Sequence, residues 1–453
     1  MIPSVSRTLA RFYSDSGPNV VVIRLFVPCL ALGACMNVRK MEMKNGLIVI
    51  TEAMPHVRSV SLGVWVTAGS RFESEKHCGI SHFVEHMLFK GTRTRSAAEL
   101  ARIIDSVGGQ LDAFTDKEYV GYYARVLDEH LPLAFDLLSD IVLRPAFPAV
   151  ELERERNVIL EEISMVEDSP QDLIQEIYLE AFWKGHPLGR PVAGSRRSVA
   201  GIKRKDLVRH FQTSYSAANT IVSIAGNFSH KKVQELAARY FSDMNTGPRA
   251  DPGAPPTAGA ARIVRHKPKL EQTHICVGTV CPPLISEEKY RIHVLCHILG
   301  GGISSRLFQN IREKRGLVYS ISSSLSLYRD AGTLVVYAGT APRTACQVLE
   351  LTMKEFRRMR DRLVSHDELK RAKESIKGSI MLSLESSSSR MTHMAQQQTY
   401  YGRLYTLEEI MAGIERVTAR DVRRLSAEIF NNSKMTLAAL DGTSGSGLEE
   451  LSF

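Results

Sequence analysis

The run ELERERNVILEEI at residues 151–163 returns as ELKRAKESIKGSI at residues 368–380, 217 positions further along. A chain that repeats itself over that distance folds as similar units in tandem, and 453 residues suffice for roughly two or three domains. The surrounding pattern agrees. VRKMEMKNGLIVITEAM places an Asn45-Gly46 turn between alternating segments, a hairpin signal, and VRSVSLGVWVTAGS follows as a strand. Helical periodicity fits residues 80–90, 96–107, 128–143 and 149–166, with one long strand, QLDAFTDKEYVGYYARV, between the second and third. A loop, WKGHPLGRPVAGS, leads to a helix over 196–214, the strand NTIVSIAG and a helix over 229–242. Residues 245–261, rich in Pro, Gly and Ala, read as a linker. The order then recurs: the strand THICVGTVC, a helix ending at HILGGG, a helix near 304–314, strands from GLVYSISSSL to GTLVVYAG, and two long helices. The expectation is an α+β fold of two homologous halves, each an antiparallel sheet covered by helices. Its divisions are a leader at 1–40, a first half at 41–244, the linker, a second half at 262–445 and a tail at 446–453.

Within the first half, GISHFVEHMLFKG sets two histidines and a glutamate into an oily run. Burying such groups together is unfavourable unless something replaces their hydration. On a helix His82, Glu85 and His86 share one face, and imidazoles at i and i+4 can place two nitrogens on one tetrahedral zinc. A carboxylate beside them is then placed for work on water. This His-x-x-Glu-His order is the inverse of the commoner zinc motif, and a buried polar cluster satisfied by hydrogen bonds is the competing reading. Cys78, four residues before His82, reads as a core thiol with a second possibility of approaching the same site.

A catalytic zinc needs a third protein ligand. The acidic run ERERNVILEEISMVED lies on a helix of the same half. Across the repeat, Glu162 meets Ser379, Glu161 meets Gly378 and Glu155 meets Ala372, and the helix VLCHILGGG of the second half lacks the His-x-x-Glu-His order. Joint loss of the acids and the motif is what one metal site in the first half produces, and a solvated helix face predicts no such coupling. Spacing alone leaves Glu161 and Glu162 both open.

GISHFVEHMLFKGT, VGGQLDAFTDKEYVGYYARVL, ERERNVILEEISMVEDSP, HPLGRPVAG and LGGGISSRLFQNIREKRGLVYSISS together resemble the pitrilysin family of inverzincin metallopeptidases. The resemblance is nearest to the branch of the mitochondrial processing peptidase and its bacterial homologues, and runs from about residue 40 to about 440. It implies the metallohydrolase fold of that branch and one zinc per chain. In that family the third ligand is a glutamate 76 positions after the second histidine, which falls on Glu162, and a supporting glutamate seven residues earlier falls on Glu155. The family's substrate-binding Arg and Tyr match Arg312 and Tyr319. Asp112 stands where the family has Asn, which puts in question a hydrogen bond to substrate and not the metal site.

The implied chemistry is hydrolysis of peptide bonds. Zinc on His82, His86 and Glu162 activates water, Glu85 acts as general base, and Arg312 and Tyr319 anchor the substrate. The strand after Gly109, with Asp112, Ala113 and Phe114, offers an edge to an extended or unfolded polypeptide, presequence-like in character. The alternative is a catalytically silent assembly subunit of the same family, which typically loses metal-site residues that this chain keeps. A homodimer is the simplest assembly, with a heterodimer containing a silent paralogue as the other.

Composition narrows the rest. The 44% apolar and 24% charged content is that of a folded globular chain, and the +9 charge is uneven. Arg7, Arg11, Arg24, Arg39 and Lys40 stand against Asp15 alone in the leader, and no basic stripe or motif for nucleic acid follows. Seven cysteines without a Cys-x-x-Cys fit a reduced compartment. MIPSVSRTLARFYS resembles a mitochondrial presequence, and LFVPCLALGAC resembles a lipoprotein cleavage site ending at Cys35. A start at Met36 or Met41 is the third reading and the one preferred, giving a bacterial cytoplasm, with lipid anchoring and the mitochondrial matrix as alternatives. The apolar run is too short to span a bilayer. LGGGISS reads as a tight helix junction, SLESSSSRM at 383–391 as a turn or flexible chamber edge, and His186 and His297 receive no role.

Overall fold

The computed structural model describes residues 38–442 and 447–448. The three leader readings, with Cys35 and Met36, lie outside the described residues, as does most of the tail. Val38, Arg39 and Lys40, assigned above to the leader, belong to the first strand.

The first half builds a sheet from β1 (Val38–Glu42), β2 (Ile48–Ala53), β3 (Ser59–Val66), β4 (Gln110–Thr115), β5 (Val120–Leu127) and β6 (Thr220–Gly226). The second builds one from β7 (Arg262–His266), β8 (Thr273–Val280), β9 (Val318–Leu327), β10 (Gly332–Thr340) and β11 (Met435–Asp441). Their spatial orders are β1-β2-β6-β3-β5-β4 and β7-β11-β8-β10-β9. Without β1 the two are superposable in order and in sense. Among the described strands only β2–β6 and β7–β11 are parallel, where, β1 aside, each half's last strand returns beside its first. The duplication is therefore a property of the fold.

The Asn45-Gly46 hairpin joins β1 to β2, with Gly46 at φ +88° in the left-handed region that glycine tolerates. The single long strand expected over residues 110–126 is instead a hairpin. Asp116 closes the turn, its N–H donating to the Tyr119 carbonyl at 2.9 Å and its Oδ1 accepting from Lys117 N at 2.7 Å. The sequence reading also passed over β7, only five residues long, and the helix Pro170–Phe182, which starts with proline at its first position. The helix expected over 196–214 breaks into Arg196–Gly201 and Arg204–Ser214.

That overlooked helix organises the molecule. Pro170–Phe182 is continuous in sequence with the first half but lies on β8 and β11 of the second. Reciprocally, helix Ser387–Tyr401 of the second half lies on β2, β3 and β6 of the first. Ile174, Ile177, Tyr178 and Phe182 pack with Cys276, Val335, Tyr337 and Ala438, and the Tyr178 hydroxyl meets Thr333 Oγ1 at 2.8 Å. On the other side Ser387 and Ser388 each reach Ser61 Oγ at 2.9 Å, and Arg390 pairs with Glu52. The run expected as a turn or flexible edge does turn at residues 384–386, between helices His366–Ser383 and Ser387–Tyr401. Its Ser387 and Ser388 then enter the seam between the halves, where small side chains let the helix approach closely. Gly63 in β3 and Gly278 in β8 make room: a Cβ on Gly63 would meet Met391 Sδ at 2.8 Å, and one on Gly278 would strike the Tyr178 hydroxyl.

Candidate metal centre

Helix Ile80–Leu88 carries the histidine motif, and all nine of its residues are buried. Its start is fixed from outside. Gly79 turns left-handed at φ +91°, and both oxygens of the buried Glu73 accept from the helix's first amides, Gly79 N and Ser81 N, each at 2.7 Å. Arg190, from the expected loop around residue 190, donates to the Glu73 carbonyl at 3.2 Å. Helix Ala149–Asp168 crosses this element and buries Leu152, Glu155, Ile159 and Ile163. Glu155 and Glu162, two turns apart, therefore face inward together, whereas Glu161 is exposed.

The two helices bring His82, His86 and Glu162 together, with one donor atom from each lying within 4.8 Å of the others. The imidazole centroids are 4.6 Å apart, and Glu162 Oε2 lies 3.6 Å from His82 Nε2 and 3.5 Å from His86 Nε2. These separations are long for hydrogen bonds. They approach the roughly 3.3–3.4 Å expected between ligands of one tetrahedral zinc bound at roughly 2.0–2.1 Å. The reading as a merely hydrogen-bonded cluster is further weakened at His82, whose buried Nδ1 has no hydrogen-bond partner among the described residues. Two imidazoles and a carboxylate are a zinc donor set, and the residues fit the ion.

The groups around the trio are ordered. His86 Nδ1 meets Glu155 Oε2 at 3.1 Å, and Glu155 Oε1 pairs with Lys90 Nζ at 2.7 Å. Burial disfavours the Glu155 anion, but the His86 and Lys90 hydrogen bonds outweigh it and hold the carboxyl below its usual range. Burial, with His86 alongside, pushes His82 well below the ordinary imidazole range, so it presents a lone pair. Burial pushes Glu85 up to about 7, and its Oε2 accepts from Thr115 Oγ1 at 2.5 Å. Cys78 takes no part: its Sγ faces the Pro191 carbonyl at 3.6 Å, and burial pushes the thiol up to about 12.

Asp112, Ala113 and Phe114 lie on β4, the outermost strand of the first sheet, which packs beside the histidine helix. Asp112 Oδ1 accepts from Ala113 N at 2.8 Å and its Oδ2 from the Tyr123 hydroxyl at 3.3 Å. Phe114, two residues on and on the same face of the strand, lies beside Tyr123 at 6.5 Å and edge-on to Trp65 at 5.6 Å. Arg312 and Tyr319 form a separate locus on the second half. Arg312 sits in a π-helical turn, Phe308–Glu313, and its Nε donates to the Tyr319 carbonyl at 3.0 Å; Tyr319 is the second residue of the outermost strand β9, with its ring in solvent.

Sequence reasoning missed Glu73, Lys90 and Thr115. It also missed a partial echo of the motif. Helix Lys289–Gly300 packs on β9 and on helix His366–Ser383, as the histidine helix packs on β4 and on Ala149–Asp168. It carries His293, Cys296 and His297, a His-x-x-Cys-His run with cysteine in the glutamate's place. With Ser379 where the ligand glutamate stands, this copy has no third donor, and the first-half trio is the one candidate metal group among the described residues.

A duplicated α+β chain with an inverted histidine motif and a distal glutamate on the facing helix defines the class of two-domain zinc metallopeptidases. The chain belongs to peptidase family M16. The model for "Insulinase (Peptidase family M16)" matches residues 48–196, and that for "Peptidase M16 inactive domain" matches residues 201–376. A protein of Bacillus subtilis (strain 168) named an uncharacterized zinc protease is 37% identical over 87% of this chain and 96% of its own length. One of Mycobacterium tuberculosis (strain H37Rv) with the same description is 39% identical over 91% and 95%. Solved structures of a peptidase M16 inactive domain from Pseudomonas fluorescens and of a protease from Helicobacter pylori share the fold. Each has a TM-score of 0.85; they are 21% and 22% identical, over 90% of this chain and 98% and 100% of theirs. The family is zinc-dependent. Among the described residues no helix is long and apolar enough to cross a membrane.

Proposed function

We propose that the chain is a zinc metalloendopeptidase that hydrolyses extended or unfolded polypeptides. The observation that carries this is the convergence of His82, His86 and Glu162 within 4.8 Å, with a buried carboxylate, Glu85, on the same helix face. Zinc in that site supplies Lewis-acid activation of water and of the scissile carbonyl. Glu85 takes the proton from the attacking water and passes it to the leaving amine, a task for a buried carboxylate on the same helix face as the histidines. Glu155 holds the Nδ1 proton of His86 and so keeps Nε2 available as a donor to the metal. The outermost strand β4 offers main-chain partners to an extended substrate through Asp112, Ala113 and Phe114, and Arg312 and Tyr319 anchor it from the second half. Pairing of that kind accepts many sequences, so selectivity rests with pockets and charge, with basic, presequence-like peptides the first class to try.

The silent-subunit alternative ranks lower, because silent members typically lose site residues and His82, Glu85, His86 and Glu162 are all kept. A homodimer is the simplest assembly, and solution mass separates it from a heterodimer. A bacterial cytoplasm is the compartment proposed, with lipid anchoring and the mitochondrial matrix as alternatives. The test is cleavage of a quenched, extended basic peptide by the zinc-loaded protein and its Glu85→Gln form. Turnover in the first alone supports the reading; turnover that survives the substitution overturns the assignment of the base.

A further inference from the structure

Glu85 has three rotatable side-chain bonds, and a base is effective only when its carboxylate is held where the proton will be. In this chain the holding group comes from a different element. Thr115, the last residue of β4, donates to Glu85 Oε2 at 2.5 Å, and both side chains are buried. A threonine in a strand has a stiff first torsion, so its hydroxyl is a rigid donor. It occupies Oε2 and leaves the other oxygen to handle the proton.

What fixes Thr115 lies just beyond it. The four residues 116–119 form the hairpin tip, and all four are tied down. Ser70 N donates to the Asp116 carbonyl at 3.1 Å, and Arg71 N to the Lys117 carbonyl at 2.7 Å. Lys117 Nζ is bound by the Arg190 carbonyl. Glu118 Oε1 pairs with Arg71 at 2.8 Å, and its Oε2 accepts from Arg329 N at 3.0 Å. Gln396 Nε2 donates to the Tyr119 hydroxyl at 2.7 Å. The Arg71 side chain is fully buried and also grips Asp330, at 2.6 and 2.5 Å. Arg329, Asp330 and Gln396 all belong to the second half, so the half without a metal site reaches the tip from two sides.

We propose that Thr115 is a positioning residue for Glu85, and that the second half sets its place by clamping the β4–β5 tip through Asp330, Arg329 and Gln396. The proposal rests on Glu85 being the base. It gives the second half a task inside the first half's chemistry, beyond holding substrate.

The test uses the full-length, zinc-loaded protein and four variants: Thr115→Val, Thr115→Ser, Asp330→Asn and the Thr115→Val/Asp330→Asn double. Thr115→Val keeps shape and removes the donor; kcat falls by about ten- to a hundredfold with KM and zinc stoichiometry unchanged, and Thr115→Ser recovers most of the loss. Asp330→Asn lowers kcat by a smaller factor, and adds little further loss in the Thr115→Val background. Should Thr115→Val fail to bind one zinc per chain or to unfold cooperatively, Thr115→Ala takes its place with the same expectations. A wild-type kcat in the folded, zinc-loaded valine variant overturns the role of Thr115. Losses that simply multiply in the double variant overturn the clamp. A Glu85→Gln form that still turns over refutes the underlying reading instead, a separate result.

Discussion

The support of His86 by Glu155 gives a zinc affinity that can be reasoned in advance. In Glu155→Gln the shape stays and the charge goes. The carboxylate is nearly buried, with one oxygen 3.1 Å from His86 Nδ1 and the other 2.7 Å from Lys90 Nζ. Lys90 is a quarter exposed and regains water, so its share of the loss is small. His86 does not: without a carboxylate on Nδ1 the ring is free to carry its proton on Nε2, the atom aimed at Glu162 and the site. Hydrogen bonds to a charged partner are worth about 1.5–3 kcal/mol, and losing such support from a ligand histidine weakens metal binding by about ten- to a hundredfold. Competition with a chromophoric chelator at fixed pH measures the zinc dissociation constant in wild type and variant. A change within about twofold would show that the Glu155–His86 contact does not tune the ligand, and a loss of about four orders of magnitude would make Glu155 itself a ligand; either refutes the reasoning.

Two further outcomes follow from the same geometry. Arg312→Ala removes a side chain that borders the exposed Tyr319 strand and is remote from the trio in sequence, so KM for an extended peptide rises about tenfold while zinc content holds; unchanged kinetics would remove Arg312 from substrate binding. Burial takes His293 down to about 3, so in acid the unfolded chain binds a proton near about 6.5 that the folded chain refuses. Its contribution to stability is therefore lost as pH falls below that value, at about 1.4 kcal/mol per pH unit, and His293→Leu gains about 2 kcal/mol relative to wild type between about pH 7.5 and 5 in urea titrations. A difference that does not change with pH would show that His293 does not titrate in this way.

Local periodicity made the parts legible, and distance in sequence hid their joins. His82, Glu85 and His86 declare themselves because a 3.6-residue period puts them on one face, and the acidic run declares itself by vanishing from the repeat. Spacing left Glu161 and Glu162 both open and the family resemblance picked Glu162; the facing helix supplies the physical reason, since the glutamate that shares Glu155's inward face is the one that meets the histidines. Thr115 and Glu73 carried no pattern, since a single hydroxyl or carboxylate acting across 30 or 8 residues has no period. The hairpin at 116–119 was read as strand because its tip lacks Gly, Asn and Pro and draws its stability from Arg71 and the second half. The serine run was rightly read as containing a turn, at 384–386, but the helix that begins at Ser387 was hidden because low apolarity is the ordinary mark of exposure, and at Ser387 it is the mark of close approach.

The exchanged helices bear on where such a chain came from and how it comes apart. Each sheet is walled by the other half's helix, with Gly63 and Gly278 cleared at matching strands to admit it. The same arrangement in two identical unlinked chains would be a swapped dimer, so the present chain has the form of that dimer tied end to end, one copy keeping its metal trio and the other retaining His293 and His297 without it. Cutting the 245–261 segment would leave two fragments still interlocked, and either one made alone would keep its own helices on one face of its sheet and lack the helix that covers the other.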